Sequence, residues 1–152
     1  MTSSLLSRRN LFTGAVAIAA GGAALWAYDR RAVYGGSALS VTEAHAAATA
    51  GDILLIDIRR PDEWQQTGIG EGARPLDMRR DDFIPELTKM TAGRTDAPVA
   101  LICAAGVRSA RLSRRLTEAG FTNIIDVPEG MRGSKAGPGW VRTGLPTVPY
   151  TG

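Results

Sequence analysis

The sequence has one cysteine, one histidine and three each of tryptophan, tyrosine and phenylalanine in 152 residues. A single cysteine excludes an internal disulfide, and paired with a single histidine it excludes a His/Cys zinc site. No metal and no cofactor is expected. An excess of one charge is missing too. The formal net charge is +3, but Arg8 and Arg9 fall in the first 28 residues, which hold no acidic residue. From Asp29 onward 16 basic residues face 15 acidic ones. So balanced a body gives no support to nucleic-acid binding. No internal repeat is present, and apart from Leu11–Tyr28 no long uncharged apolar run occurs.

The lone cysteine is placed for chemistry. Cys103 opens the run Cys103-Ala104-Ala105-Gly106-Val107-Arg108-Ser109, between a strand-like Val99–Ile102 and a helix-like Ser109–Ala119. A free thiol is mostly protonated at neutral pH, and the thiolate is the nucleophile. The turn carries the means to stabilise that thiolate. A helix starting near Ser109 points free N–H groups and its positive dipole end back at Cys103. Gly106 permits a backbone that curls successive amides inward as an anion nest. Arg108 either holds an oxyanion with two donors or turns away and braces the loop. Ser109 is placed to cap the helix and donate one further hydrogen bond.

This loop resembles the Cys-x-x-Gly-x-Arg-[Ser/Thr] active-site loop of rhodanese-type sulfurtransferases, and further landmarks flank it in order. Ile53–Arg59 is similar to the family's strand ending in Asp-x-Arg, and Pro61-Asp62-Glu63-Trp64 to the Glu-aromatic that follows. Thr67–Ala73 resembles Gly-His-Ile-x-Gly-Ala. Downstream, Gly120–Ile124, Glu129-Gly130-Met131, Gly139-Trp140 and Gly144-Leu145-Pro146 complete the set. The resemblance covers about Leu39 to Pro149. It implies an α/β, rhodanese-like fold, a central parallel sheet with helices on both faces. Cys103 becomes the persulfide-forming nucleophile, with Ala104, Ala105, Gly106, Val107, Arg108 and Ser109 as the persulfide-binding loop. Asp57 and Arg59 support the strand end through ion pairs or backbone hydrogen bonds.

Three features depart from the pattern. The histidine before Ile69 is absent. Met131 stands where a second glycine is usual, and is expected at the pocket entrance. Alanines occupy 104 and 105, where some relatives carry arginine or lysine to hold thiosulfate. Four residues separate Cys103 from Arg108, against five in cysteine phosphatases. This favours a single sulfur atom over a tetrahedral oxyanion. The implied reaction moves a sulfane sulfur from a small donor such as thiosulfate to cyanide, a thiol or a protein acceptor. The alternatives are a non-catalytic sulfur-carrying or partner-binding module and, behind it, a phosphatase or arsenate reductase. His45, in an Ala-rich helical stretch, is read as a surface or capping residue.

The N-terminus suggests export. Ser7-Arg8-Arg9-Asn10-Leu11-Phe12 resembles a twin-arginine motif, and the Ala/Gly-rich run from Leu11 to Tyr28 is only weakly hydrophobic. Residues 1–28 are therefore a signal or an N-terminal anchor, 29–38 a linker, and 39–150 one domain. About 110 to 125 residues remain after such a leader, enough for one core. The expected location is the periplasm, with membrane contact only through an uncleaved leader. Within the domain we expect an edge strand at Leu39–Val41, a helix over Thr42–Ala50 and a buried strand at Ile53–Ile58. A helical turn follows at Asp62–Gln66, then a short strand at Arg74–Asp77. An irregular helix is expected around Pro85, then strands at Val99–Ile102 and Ile124–Val127. Gly130–Gly139 is expected to be a flexible loop, and Trp64 and Trp140 core anchors.

Overall fold

Three four-residue strands, mostly apolar, build the centre of the sheet. The computed structural model describes residues 35–152; the leader and most of the linker lie outside them. Five strands form one sheet: β1 (Ser37–Ala38), β2 (Leu54–Asp57), β4 (Arg74–Pro75), β5 (Val99–Ile102) and β6 (Ile124–Val127). Their order is β1-β6-β5-β2-β4 and every pairing is parallel. The central β5 is Val-Ala-Leu-Ile, each residue 0% exposed. A strand covered on both faces must be apolar at every position, and this one is. Two further short strands, β3 (Ile69–Gly70) and β7 (Thr147–Val148), pair antiparallel beside the sheet.

The helices divide between the two faces. On one face Val99, Leu101 and Ile124 meet Phe83 and Leu87 of α3 (Phe83–Met90) and Leu112 and Leu116 of α4 (Val107–Glu118). On the other, Ala100, Ile102 and Val127 meet Val41 and Ala44 of α1 (Val41–Ala50), and Trp140 of α5 (Gly139–Arg142). The remaining helix, α2 (Pro61–Thr67), follows β2 and buries Trp64. No helix among the described residues is long and apolar enough to cross a membrane.

Several expected boundaries shift, each for a local reason. The first strand is Ser37–Ala38, not Leu39–Val41, because Ser40 is the cap of α1. Its hydroxyl accepts from the Glu43 amide while the Glu43 carboxylate accepts from the Ser40 amide, a capping box that fixes the helix start at Val41. The helix around Pro85 runs from Phe83 to Met90. Pro85 sits in its first turn, where an amide would have no helical partner anyway. Gly130–Gly139 is held at several points. Met131 and Arg132 donate backbone bonds to Cys103 and Ala104, Ser134 Oγ donates to the Pro128 carbonyl at 2.7 Å, and Ser134 bridges Gly137.

Candidate active site

Cys103 follows the last residue of β5, at the carboxyl end of the central strand, where parallel α/β sheets bind their ligands. The chain spans only Cys103, Ala104, Ala105 and Gly106 before α4 begins at Val107. The helix thus starts two residues earlier than expected. Gly106 is its N-cap, and Ser109 lies inside the first turn rather than capping it. Ser109 instead donates from Oγ to the Gly106 carbonyl at 3.0 Å and lies 3.7 Å from Cys103 Sγ.

Three of the loop's carbonyls are engaged by hydrogen bonds. The Cys103 carbonyl accepts from the Met131 amide at 2.8 Å, and the Ala104 carbonyl from the Arg132 amide at 2.9 Å. The Gly106 carbonyl takes both the Ala110 amide and the Ser109 hydroxyl. Among the described residues, none of the six amides from Ala104 to Ser109 donates to a backbone carbonyl. A turn whose amides have no backbone acceptor, at the start of a helix, is suited to act as a cradle for an anion. Two glycines let the backbone close this tightly. Gly106 has φ +81°, and a Cβ there would come 2.2 Å from the Pro128 carbonyl oxygen; one on Gly130 would come 2.7 Å from the Ala104 and Ala105 backbone.

Met131 is not at a pocket entrance. It is fully buried against Val127 and Trp140, and its amide is what pins the Cys103 carbonyl. Glu129 is buried as well, and its carboxylate accepts from Val41 N of α1 and Gly139 N of α5. It ties two helix starts to the loop behind the cradle.

Arg108 points its guanidinium at a carboxylate the sequence did not assign a role. Both Arg108 terminal nitrogens donate to Glu63 at 2.7 Å, a bidentate pair bridging α4 and α2. The Glu63 side chain also accepts from the Arg60 amide at 3.2 Å. Hydrogen bonding from Arg108 holds the Glu63 carboxyl down to about 2, with Arg60 reinforcing it. The same pair raises Arg108 above its ordinary value, with Cys103 making a smaller contribution. Arg108 therefore braces the loop through Glu63 while its charge remains beside the sulfur.

A pH dependence follows. Glu63 is depressed when folded, so its stabilisation is complete above pH 4.5 and is lost as pH falls from 4.5 through about 2. Over that window wild type is expected to lose roughly 2 kcal/mol more stability than Glu63→Gln. Urea unfolding of both at pH 6 and pH 2.5 checks it. Equal losses would remove the Glu63–Arg108 pair as the cause.

Asp57 and Arg59 form a buried ion pair. They are 0% and 1% exposed. Arg59 Nε lies 2.9 and 3.0 Å from the two Asp57 oxygens, and Nη2 adds a bond at 2.7 Å. Arg59 then reaches Thr67 Oγ1 and the Gly68 carbonyl, both at 2.8 Å, at the end of α2. Its link to Cys103 is indirect, through the helix that carries Glu63. His45 is remote: it meets Glu71 at 2.9 Å and packs edge-on to Trp140. No cluster of metal-ligating side chains occurs among the described residues.

Comparison with known proteins bears on the fold and the family. The family model for a rhodanese-like domain matches residues 40–136. Thiosulfate sulfurtransferase 16, chloroplastic, of Arabidopsis thaliana is 30% identical over 120 residues, covering 73% of this chain and 92% of that protein. An uncharacterized protein of Rickettsia conorii is 26% identical over 103 residues, covering 61% of this chain and 80% of its own. Among solved structures, the polysulfide-sulfur transferase homodimer of Wolinella succinogenes superposes with a TM-score of 0.66. It is 27% identical and covers 86% of this chain and 90% of its own. The five-stranded parallel sheet, the cysteine at the end of its central strand and the span of the family match lead to one assignment: the chain belongs to the rhodanese-like domain family.

Proposed function

We propose that this protein is a sulfurtransferase that carries a sulfane sulfur on Cys103. The Cys103 thiolate attacks the outer sulfur of a donor such as thiosulfate. The donor's S–S bond breaks, sulfite leaves with the electron pair, and a Cys103 persulfide anion forms. A thiophilic acceptor (cyanide in an assay, a thiol or a protein in the cell) then attacks the outer sulfur and returns Cys103 to thiolate. The observation that carries this reading is the place of Cys103 at the carboxyl end of the central strand, on a turn whose amides from Ala104 to Ser109 donate to no backbone carbonyl among the described residues. Those amides are preorganised donors for a charge that stays on sulfur throughout the cycle. Relatives named for thiosulfate and polysulfide transfer support the same chemistry. Export by the leader over residues 1–28, and so a periplasmic site of action, belongs to this proposal and rests on the twin-arginine-like Ser7–Phe12 and the weakly hydrophobic run Leu11–Tyr28.

The test is the intact mass of the reduced protein before and after thiosulfate, with Cys103→Ser as the blank. One added sulfur atom in wild type only, removed again by cyanide, is the expected result. A folded wild type with a free thiol that gains no sulfur from thiosulfate or polysulfide would overturn the reading and leave a partner-binding module.

A further inference from the structure

The charges that α2 and α4 bring together beside the Cys103 turn pair off. Arg108 sits in the first turn of α4, next to Ser109, whose Oγ is 3.7 Å from Cys103 Sγ. Both of its terminal nitrogens donate to the Glu63 carboxylate, each at 2.7 Å, in a pair whose side chains are 31% and 15% exposed. Glu63 also lies 3.5 Å from Arg60, and Arg60 donates to Asp62 at 3.0 and 2.9 Å. Two arginines thus face two carboxylates. The next arginine along, Arg59, is matched by Asp57. Ala104 and Ala105 add no charge to the turn itself. Glu63 is ionised at neutral pH, because hydrogen bonding from Arg108 holds its carboxyl down to about 2.

This pairing bears on which donors the site takes. The start of a helix carries about half a positive charge, which suits the single negative charge of a persulfide. A dianionic donor brings more charge than that, and an arginine free of Glu63 would be the cation to meet it. Bound to Glu63, Arg108 belongs to a neutral couple. We propose that Glu63 is a charge filter for Cys103, a positioning residue that acts through Arg108 and favours sulfane donors of at most one negative charge over dianions such as thiosulfate. The favoured class is the thiol hydropersulfide, R–S–SH. Cys103 thiolate attacks its outer sulfur, the S–S bond breaks, and R–S⁻ leaves with the electron pair. The proton on the transferred sulfur passes to that leaving thiolate. Cys103 ends as a persulfide anion, R–SH departs, and no oxidant or reductant is consumed. Thiosulfate follows the same path with sulfite as the leaving group, at a lower rate.

The proposal rests on the sulfur-transfer reading, and one arm of its test needs no sulfur. Cys103 is alkylated with neutral iodoacetamide and with anionic iodoacetate in wild type, Glu63→Gln and Asp62→Asn. Gln keeps the size of Glu and still accepts from Arg108. Asp62→Asn removes the same charge one residue away, from a carboxylate that pairs with Arg60 instead. Glu63→Gln is expected to raise the iodoacetate-to-iodoacetamide rate ratio about 3-fold or more, the scale of one unit charge felt across a few ångströms of partly wet protein. Asp62→Asn is expected to move it less. The second arm follows sulfur loading by intact mass from thiosulfate, doubly charged, and from benzenethiosulfonate, singly charged. The thiosulfate-to-thiosulfonate ratio is expected to rise in Glu63→Gln as well. A purely structural role would change both reagents of a pair alike. Ratios unchanged in Glu63→Gln, or moved as far by Asp62→Asn, would overturn the proposal. Should Glu63→Gln not fold, wild type decides. Its thiosulfate rate is expected to hold level between about 0.01 and 0.1 M salt, where the Debye length shrinks from about 30 to about 10 Å. A steep fall with salt would show that a cation draws the dianion in, and would overturn the filter. Wild type and Glu63→Gln that take sulfur from neither donor, yet differ in alkylation ratio, would instead overturn sulfur transfer and leave the charge filter standing.

Discussion

Gly106→Ala is expected to slow sulfur uptake by Cys103 at least ~100-fold, the scale of losing a preorganised oxyanion donor. Two independent effects act on this position. The residue sits at φ +81°, where a side chain costs about 1–2 kcal/mol. The added Cβ would also stand 2.2 Å from the backbone oxygen of Pro128. A backbone oxygen cannot rotate aside as a side chain does, so either Cys103–Gly106 or Pro128–Gly130 must shift. Those two segments are the cradle and its support, since the next residues, Met131 and Arg132, hold the Cys103 and Ala104 carbonyls. Gly120→Ala separates the effects. Gly120 has φ +96° but nothing within 4 Å of a new Cβ, and it lies beyond the far end of α4. It is expected to cost about 1 kcal/mol of stability and to leave sulfur uptake at the wild-type rate. Single-turnover persulfide formation followed by mass, with urea unfolding of both variants, checks the pair. A Gly106→Ala protein that loads sulfur as fast as Gly120→Ala would show that the cradle does not depend on this close approach.

The sequence revealed most where a residue's surroundings are local or symmetric. Val99–Ile102 was read to the residue because a strand buried on both faces must be apolar throughout, and Ile124–Val127 because three of its four residues are β-branched and apolar. The Cys103 turn was legible because strand, glycine and helix follow one another within a few positions. What escaped depends on distance. Glu63 and Arg108 are 45 residues apart and nothing in either segment announces the other. The available signals were the Glu63-Trp64 landmark and Glu63 three residues after Arg60, whose amide donates to its carboxylate. Ser109 looked like a cap because serine favours that position, but the fixed length of the cradle makes Gly106 the cap and carries Ser109 into the helix. Met131 looked like an intruder at a glycine site. Its side chain is buried beside Trp140, while Gly130 is the position where a Cβ would strike the Ala104 and Ala105 backbone. Asp126 was invisible as well. Nothing within Ile124-Ile125-Asp126-Val127 gives Asp126 a role, and only the register with Leu101 places it inside.

Arg59→Met is expected to destabilise the protein by about 3–5 kcal/mol, the usual cost of removing one partner from a buried ion pair. Met matches the length of the aliphatic stem, so the packing loss is small and the electrostatic one dominates. The substitution leaves Asp57, 0% exposed, with the Arg59 backbone amide as its remaining bond from that residue, at 3.1 Å. It also releases Thr67 Oγ1 and the Gly68 carbonyl, which Arg59 holds at the end of α2. That second loss connects stability to the site. α2 presents Glu63 to Arg108, so a looser α2 weakens the brace on the cradle as well as the fold. Adding Asp57→Leu to Arg59→Met is expected to return part of the stability, because the stranded charge goes too. It is not expected to restore sulfur uptake, because Thr67 and Gly68 remain untethered. Urea unfolding of the two single variants and the double, with persulfide formation measured in each, gives both halves of the cycle. Strict additivity in stability would mean that Asp57 and Arg59 do not act as a pair. Wild-type sulfur uptake in folded Arg59→Met would cut the link between this pair and Cys103.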